Sequence, residues 1–240
     1  MAASDQNNSR KKPYRSSRPR PAGKRKNRWK LLLVWLFSTA AFAVFCGIAG
    51  YLAIMLNGER ILNENMDKIE LTEASTIYDG EGNEIKKIGV NRELMDFTEM
   101  PELLVQAFIA TEDRRFYEHN GIDFWSIGRA AVKDIIARDL VEGGSTITQQ
   151  LAKNLFLDAD KTFFRKATEA SIALALENNK SKEQILELYL NRIYFGKGAY
   201  GVKAAAKVYF NKDLGSGDPK DELELWEIAT LAGIPKAPNN

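Results

Sequence analysis

The sequence predicts a mainly α-helical domain carried behind a single membrane-crossing helix, on three observations. Leu31 to Leu56 is a run of 26 residues without a charge. As a helix it would extend about 39 Å at 1.5 Å per residue, enough to cross a bilayer with some tilt. From about residue 97 onward, apolar residues recur at helical spacing in successive segments separated by capping residues and glycines. Strand signals are confined to Ser75–Ile88 and the region of Tyr194.

With 240 residues, 45% of them hydrophobic, the chain can build one sizeable core plus accessory segments. Its net charge of +2 hides an asymmetry. Residues 1–30 hold eleven Lys/Arg and one acid, a net +10, and the other twenty-three basic and thirty-one acidic residues give −8. A basic tail on an acidic body argues against a uniformly nucleic-acid-binding protein. The single cysteine, Cys46, excludes an intrachain disulfide and a cysteine zinc cluster.

In chain order, residues 1–28 are polar and basic, rich in Ser, Pro, Asn and Arg, and are expected to be disordered. No aromatic beyond Tyr14 is interleaved there to support a nucleic-acid arm. Residues 29–56 form the span. It is too long for the apolar region of a cleaved signal, and no clean small-x-small site follows it. Its basic flank is N-terminal, which places the tail in the cytoplasm and the body outside. Residues 57–96 read as a linker. Asn57–Asp67 can continue a helix, and Ser75–Ile88 reads as a hairpin around Asp79-Gly80-Glu81-Gly82-Asn83 or as a short extended linker element.

Residues 97–240 form the helical domain. A helix begins near Pro101, a favourable first-turn residue, and runs through Leu104, Phe108 and Ile109. Asp123 caps a helix expected to turn Phe124, Ile127, Ala131, Ile135 and Ile136 inward. Gly143-Gly144 precede a helix starting at Ser145-Thr146. Thr162–Asn178 is a strong helix, and Ser181 with Gln184 forms a capping-box pattern for the next. Glycines in NRIYFGKGAYG interrupt the pattern before Val202–Phe210, and Leu223–Ala232 is the last apolar helix. The closing PKAPNN reads as mid-domain, so a domain truncated at its C-terminus is expected.

Three places carry chemistry. Phe108–Gly121, FIATEDRRFYEHNG, puts Glu112 and Asp113 after an apolar run. Partial burial and a like-charged neighbour both suit a carboxyl to general acid or base work. A solvated helix end with His119 in its last turn explains the same residues. In EGGSTITQQLAKN, Ser145, Thr146, Gln149, Gln150, Lys153 and Asn154 fall within two turns of a helix start. Singly each is a solvated side chain, but together they suit phosphate and sugar oxygens. Glu169 follows Arg165 by four residues and Lys166 by three, which reads either as a surface ion pair or as a second site carboxylate flanked by cations.

Taken together, these stretches resemble the peptidoglycan glycosyltransferase family, family 51 of the glycosyltransferases. This is the lysozyme-like domain of class A penicillin-binding proteins and of monofunctional transglycosylases. Five motifs occur in order: ATEDRRFYEHNG at 110–121, GGSTITQQLAKN at 143–154, RKATEA at 165–170, ILELYLNRIYFGKGAYG at 185–201 and LAGIPKAP at 231–238. The upstream STIYDGEGNEI also resembles the segment that precedes the domain in class A proteins.

The resemblance implies a bacterial plasma-membrane enzyme that polymerises lipid II into glycan strands with inversion, releasing undecaprenyl pyrophosphate. It implies Glu112 as general base beside Asp113, and Glu169 positioning the donor or assisting its departure. Ser145, Thr146, Gln149, Gln150, Lys153, Asn154, Arg165 and Lys166 match the family's sugar and pyrophosphate positions. Lys161 stands where an arginine is often found, keeping the charge but losing bidentate phosphate contact. No cofactor is required, although a divalent cation such as magnesium could bridge the pyrophosphate and an acid. The partners implied are lipid II, the growing strand, the lipid bilayer and other cell-wall synthesis proteins, with no nucleic acid. The family also has an apolar subdomain that dips into the bilayer, to which residues 124–141 and 155–164 are apolar enough to contribute.

Two other readings compete. A lysozyme-type hydrolase also needs carboxylates in a helical cleft, but the cations near the second and third motifs favour a pyrophosphate leaving group. A non-catalytic scaffold is opposed by the intact Glu112 and Glu169. Strand growth against muropeptide release from lipid II separates the enzymes.

Overall fold

A computed structural model describes residues 28–137, 143–156 and 163–238. The basic tail lies outside the described residues except for Arg28. The chain divides into two units, residues 1–47 and 48–240.

The first unit contains the start of α1 (Arg28–Glu64). Its most apolar 18-residue window has mean hydropathy 2.3 and is entirely exposed, so α1 is long and apolar enough to cross a membrane. The span was expected to end at Leu56 with Asn57–Asp67 able to continue the helix, and α1 runs on without interruption to Glu64. Its last turns belong to the second unit and have a surface to bury against. Leu62 is buried in the core, and Ser171 donates its hydroxyl to the Ile54 carbonyl.

In the second unit, β1 (Ser75–Tyr78) and β2 (Glu84–Ile88) form the expected antiparallel hairpin, with Ser75 opposite Ile88 and Tyr78 opposite Glu84. The Asp79 carboxylate holds the turn by accepting the N–H groups of Glu81 and Asn83 at 2.9 and 2.8 Å.

The linker expected over 57–96 is stitched into the helical domain before it ends. The two-residue strand β3 (Asn91–Arg92) runs parallel to β4 (Ala199–Tyr200). The Asn191 amide accepts from Met95 N–H at 3.0 Å and donates to the Met95 carbonyl at 2.8 Å. Phe97 N–H reaches Glu187 at 3.0 Å. Contacts of this kind join residues some ninety positions apart and leave no local pattern.

The helical body comprises α2 (Glu102–Glu112), α3 (Phe124–Ala137), α4 (Ile147–Phe156), α5 (Phe163–Asn179), α6 (Lys182–Arg192), α7 (Val202–Phe210) and α8 (Leu225–Gly233). α4 packs against both α5 and α6, and α2 against α8. Leu151, Ile172, Leu176, Ile185 and Tyr189 are fully buried between them. Phe108 meets Phe195 edge to face, with ring centroids 6.0 Å apart. Ser181 and Gln184 make the capping box at the start of α6. Gly201, at φ +83°, lies against Asn191, whose carbonyl oxygen would be 2.7 Å from any Cβ placed there. Only glycine meets both demands.

α3 departs from expectation. Asp123 caps it, but Phe124, Ile127, Ala131 and Ile136 are exposed and Ala130 is buried instead. The apolar residues were expected to face a core. These side chains are exposed instead, so helical periodicity located a face without identifying what it meets. The apolar stretches expected beyond this helix, 138–141 and 157–162, lie outside the described residues.

Candidate active site

The site assembles where α2 ends, α4 begins and α5 passes. Glu112 is the last residue of α2 and is half-buried. Its Oε2 accepts from Gln150 Nε2 at 2.9 Å, and its Oε1 is buried without a hydrogen-bonding partner among the described residues. Glu112 lines a cavity of about 240 Å³ together with Asp113, Arg114, Arg129, Ser145 and Lys236. A carboxylate lining such a cavity suits general-base work on a bound hydroxyl.

Asp113 is buried and turned away from that task. Its oxygens lie 3.0 and 3.1 Å from His119 Nε2, and its Oδ2 also accepts Ile147 N–H, the first of α4, at 3.0 Å. Gly121 N–H donates to His119 Nδ1 at 3.2 Å, so the Nε2–H tautomer donates to Asp113. The two adjacent acids therefore differ in their surroundings. Both border the cavity, but Glu112 is held by one side-chain amide and Asp113 is fixed by a ring N–H and a helix N-terminus.

Thr146 and Gln149 are also committed to the start of α4. Gln149 N–H donates to Thr146 Oγ1, and Thr146 N–H donates to Gln149 Oε1, each at 3.1 Å, a reciprocal cap. Thr146 Oγ1 further donates to the Gly121 carbonyl at 2.7 Å. Both side chains are buried. Of the polar cluster on this segment, Ser145 and Gln150 remain to face Glu112, while Lys153 and Asn154 lie further along the helix.

Glu169 is fully buried, not part of a surface ion pair. It accepts from Arg165, and from Lys166 Nζ at 2.6 Å. Lys166 Nζ also donates to Ser145 Oγ at 2.8 Å, which ties the Glu169 cluster to the wall of the Glu112 cavity. Lys161 lies outside the described residues.

Lys153 and Asn154 line a second cavity, of about 290 Å³, with Gln150, Arg92, Arg192 and Tyr200 among its other walls. Gln150 borders this cavity and reaches Glu112 beside the first. Arg92 is buried on β3, its guanidinium 5.7 Å from the centre of the Tyr200 ring. Burial pulls Arg92 and Arg192 below the ordinary arginine value, and for Arg192 the neighbouring Arg92 adds to the effect. Local pattern did not point to Arg92, Arg192 or Tyr189, since each reaches the site through contacts distant in sequence. Among the described residues, no group of three or more His, Cys, Asp or Glu gathers to hold a metal.

A helical domain with a carboxylate at a cation-rimmed cavity is a fold and site suited to glycosyl transfer. The family described as Transglycosylase matches residues 81–240. The chain is 48% identical over 196 residues to penicillin-binding protein 1F of Bacillus subtilis (strain 168), covering 81% of this chain and 26% of that protein. It is 49% identical over 165 residues to penicillin-binding protein 1A of Neisseria cinerea, covering 68% and 20%. It is also 49% identical over 167 residues to penicillin-binding protein 1A of Aquifex aeolicus (strain VF5), covering 69% and 22%. The chain belongs to the transglycosylase family, and it spans about a fifth to a quarter of the length of these relatives.

Proposed function

We propose that the chain is a membrane-anchored peptidoglycan glycosyltransferase that polymerises lipid II, with Glu112 as general base. The observation that carries this reading is Glu112 itself, held through one oxygen by Gln150 and lining a cavity bordered by Ser145 and basic side chains.

The donor is the growing strand, joined at C1 of its reducing end to undecaprenyl pyrophosphate. The acceptor is the 4-hydroxyl of lipid II. That oxygen attacks C1 from the face opposite the pyrophosphate, and Glu112 takes its proton. The C1–oxygen bond to pyrophosphate breaks, the new glycosidic bond forms with inversion, and undecaprenyl pyrophosphate departs with the electron pair. Such a leaving group needs positive charge more than a proton, and fixed cations supply it without reorganisation.

Lys166, already on Ser145 and Glu169, and Arg165 stand in that role. Lys153 and Lys161 add positive charge, Asn154 offers its amide to sugar or phosphate oxygens, and Glu169 holds Arg165 and Lys166 in place. Asp113, Thr146 and Gln149 act by fixing the start of α4 behind Ser145 and Gln150. A divalent cation such as magnesium would travel with the pyrophosphate.

In this reading α1 anchors the enzyme in the bacterial plasma membrane, and the basic flank of the span supports a cytoplasmic N-terminus with the body outside, beside substrates that are themselves lipid-linked. Other cell-wall synthesis proteins are its expected partners.

The test is polymerisation of lipid II by the full chain, followed by product length, with and without moenomycin. Glu112→Gln should abolish strand growth while leaving thermal unfolding unchanged. Normal turnover by that variant, or release of muropeptides in place of strand growth, would remove the assignment.

A further inference from the structure

Gln150 touches the proposed base, and its own orientation has a cause on another helix. Tyr189, on α6, is fully buried, and its hydroxyl donates to Gln150 Oε1 at 3.2 Å. The Gln150 carbonyl is thereby engaged, and its Nε2 donates to Glu112 Oε2 at 2.9 Å. A side-chain amide has a donor end and an acceptor end that differ little in shape, so it can turn over unless its neighbours forbid it. In the reversed orientation the amide oxygen would face a carboxylate oxygen, which is repulsive, and the tyrosine hydroxyl could only accept from the NH₂ group, leaving its own proton without the Gln150 oxygen. The observed chain of donors, from Tyr189 through Gln150 to Glu112, has one consistent polarity.

We propose that Tyr189 is a positioning residue for the transfer reaction. It engages the Gln150 carbonyl so that the amide N–H stays on Oε2 of Glu112 and holds that carboxylate in place at the cavity it lines. The inference rests on Glu112 being the base. Burial, and then the nearby charges of Glu112 and Asp113, push the Tyr189 hydroxyl well above its ordinary value, so it remains a donor across the working pH range. The tyrosine ring also fills the core. A hydroxyl at its tip is needed only if something there requires a donor, and Gln150 is the group that accepts from it.

A double-mutant cycle on lipid II polymerisation tests this, using Tyr189→Phe, Gln150→Ala and the double variant in the full chain. Tyr189→Phe keeps the ring and removes the donor. Its kcat should fall roughly tenfold, as for loss of a hydrogen bond that orients a reacting group, with KM changed less than about twofold. In the Gln150→Ala background the same change should alter kcat by less than about twofold, because the amide it acts through is gone. Equal losses of kcat in both backgrounds would overturn the proposal. So would an unchanged kcat in Tyr189→Phe, or loss of the fold in that variant, which would make the hydroxyl structural. Glu112→Gln separates this from the broader reading. If that variant polymerises, the base assignment fails; if it is inactive while Tyr189→Phe is normal, only the positioning role fails.

Discussion

His119 donates its Nε2–H to Asp113, and the same carboxylate accepts the first backbone N–H of α4 from Ile147 at 3.0 Å. One buried acid therefore joins the end of α2 to the beginning of α4, the two elements that carry Glu112 and Gln150. Replacing Asp113 by Ala leaves a buried ring N–H and a helix-end N–H without their acceptor. Each such loss costs about 1–3 kcal/mol. Asp113→Ala is expected to lose roughly 2–5 kcal/mol in denaturant unfolding, and Asp113→Asn less, because its amide oxygen still accepts one of the two. A Asp113→Ala variant as stable as the parent would show that the junction contributes little.

Gly58 on α1 is where backbone meets backbone. A Cβ there would lie 2.1 Å from the Ser171 carbonyl oxygen and 2.5 Å from its carbon. Two effects oppose each other in Gly58→Ala. Alanine improves helix propensity by about 1 kcal/mol, but overpacking a tight contact costs about 1–3 kcal/mol, more when a backbone must move. The second should win. Gly58→Ala is expected to lower the unfolding midpoint of the detergent-solubilised chain by several degrees, whereas Ser171→Ala, which loses only the hydrogen bond to Ile54, should cost about 1 kcal/mol. A stabilised Gly58→Ala would mean that α1 does not dock as described.

Much of this architecture was legible locally. Ser181 and Gln184 announce their capping box, Asp123 its cap, and Asp79 to Asn83 a turn, because each requires residues only a few positions apart. The long apolar run announced α1 and Asn57–Asp67 its continuation, while the docking of its last turns against α5 was not legible. Glu112 and Glu169 were singled out by resemblance, and the Arg165 and Lys166 partners of Glu169 by their spacing; the full burial of Glu169 and the Gln150 partner of Glu112 were not legible. Gln150 reaches Glu112 across 38 positions and Tyr189 reaches Gln150 across 39, separations on which local periodicity is silent. Periodicity also misled on α3, since an apolar stripe reports amphipathicity and not the identity of the surface it meets.

Asp123 should make the stability of this region sensitive to acid. Its burial works to raise its pKa. The Ser126 hydroxyl and N–H, Arg115 and the Trp125 N–H outweigh that and hold it below the ordinary aspartate value. The ionised form is the one the fold favours. Its contribution is therefore complete above the unfolded-chain value of about 3.9 and is lost as pH falls through the lower folded value. Asp123→Asn keeps an acceptor for the helix cap and removes the titration. Its deficit relative to the parent should be largest near about pH 6 and shrink toward about pH 3, read from unfolding midpoints. A deficit that does not change with pH would show that the charge is not what stabilises the cap.

Glu169 presents the sharpest separation of stability from turnover. Its carboxylate is buried and accepts from both Arg165 and Lys166. Removing one partner of a buried ion pair costs about 3–5 kcal/mol, because the remaining charge loses its compensation. Lys166 is half-exposed, so water can take up part of that burden. Glu169→Gln is therefore expected to lose roughly 2–4 kcal/mol in denaturant unfolding. If Glu169 works by holding the cations where pyrophosphate binds, KM for lipid II should rise along with the loss of kcat, and added pyrophosphate should inhibit the variant less than the parent. Were Glu169→Gln to lose kcat alone, with pyrophosphate inhibition and stability unchanged, its carboxylate would be acting on the reacting atoms and not on Lys166 and Arg165.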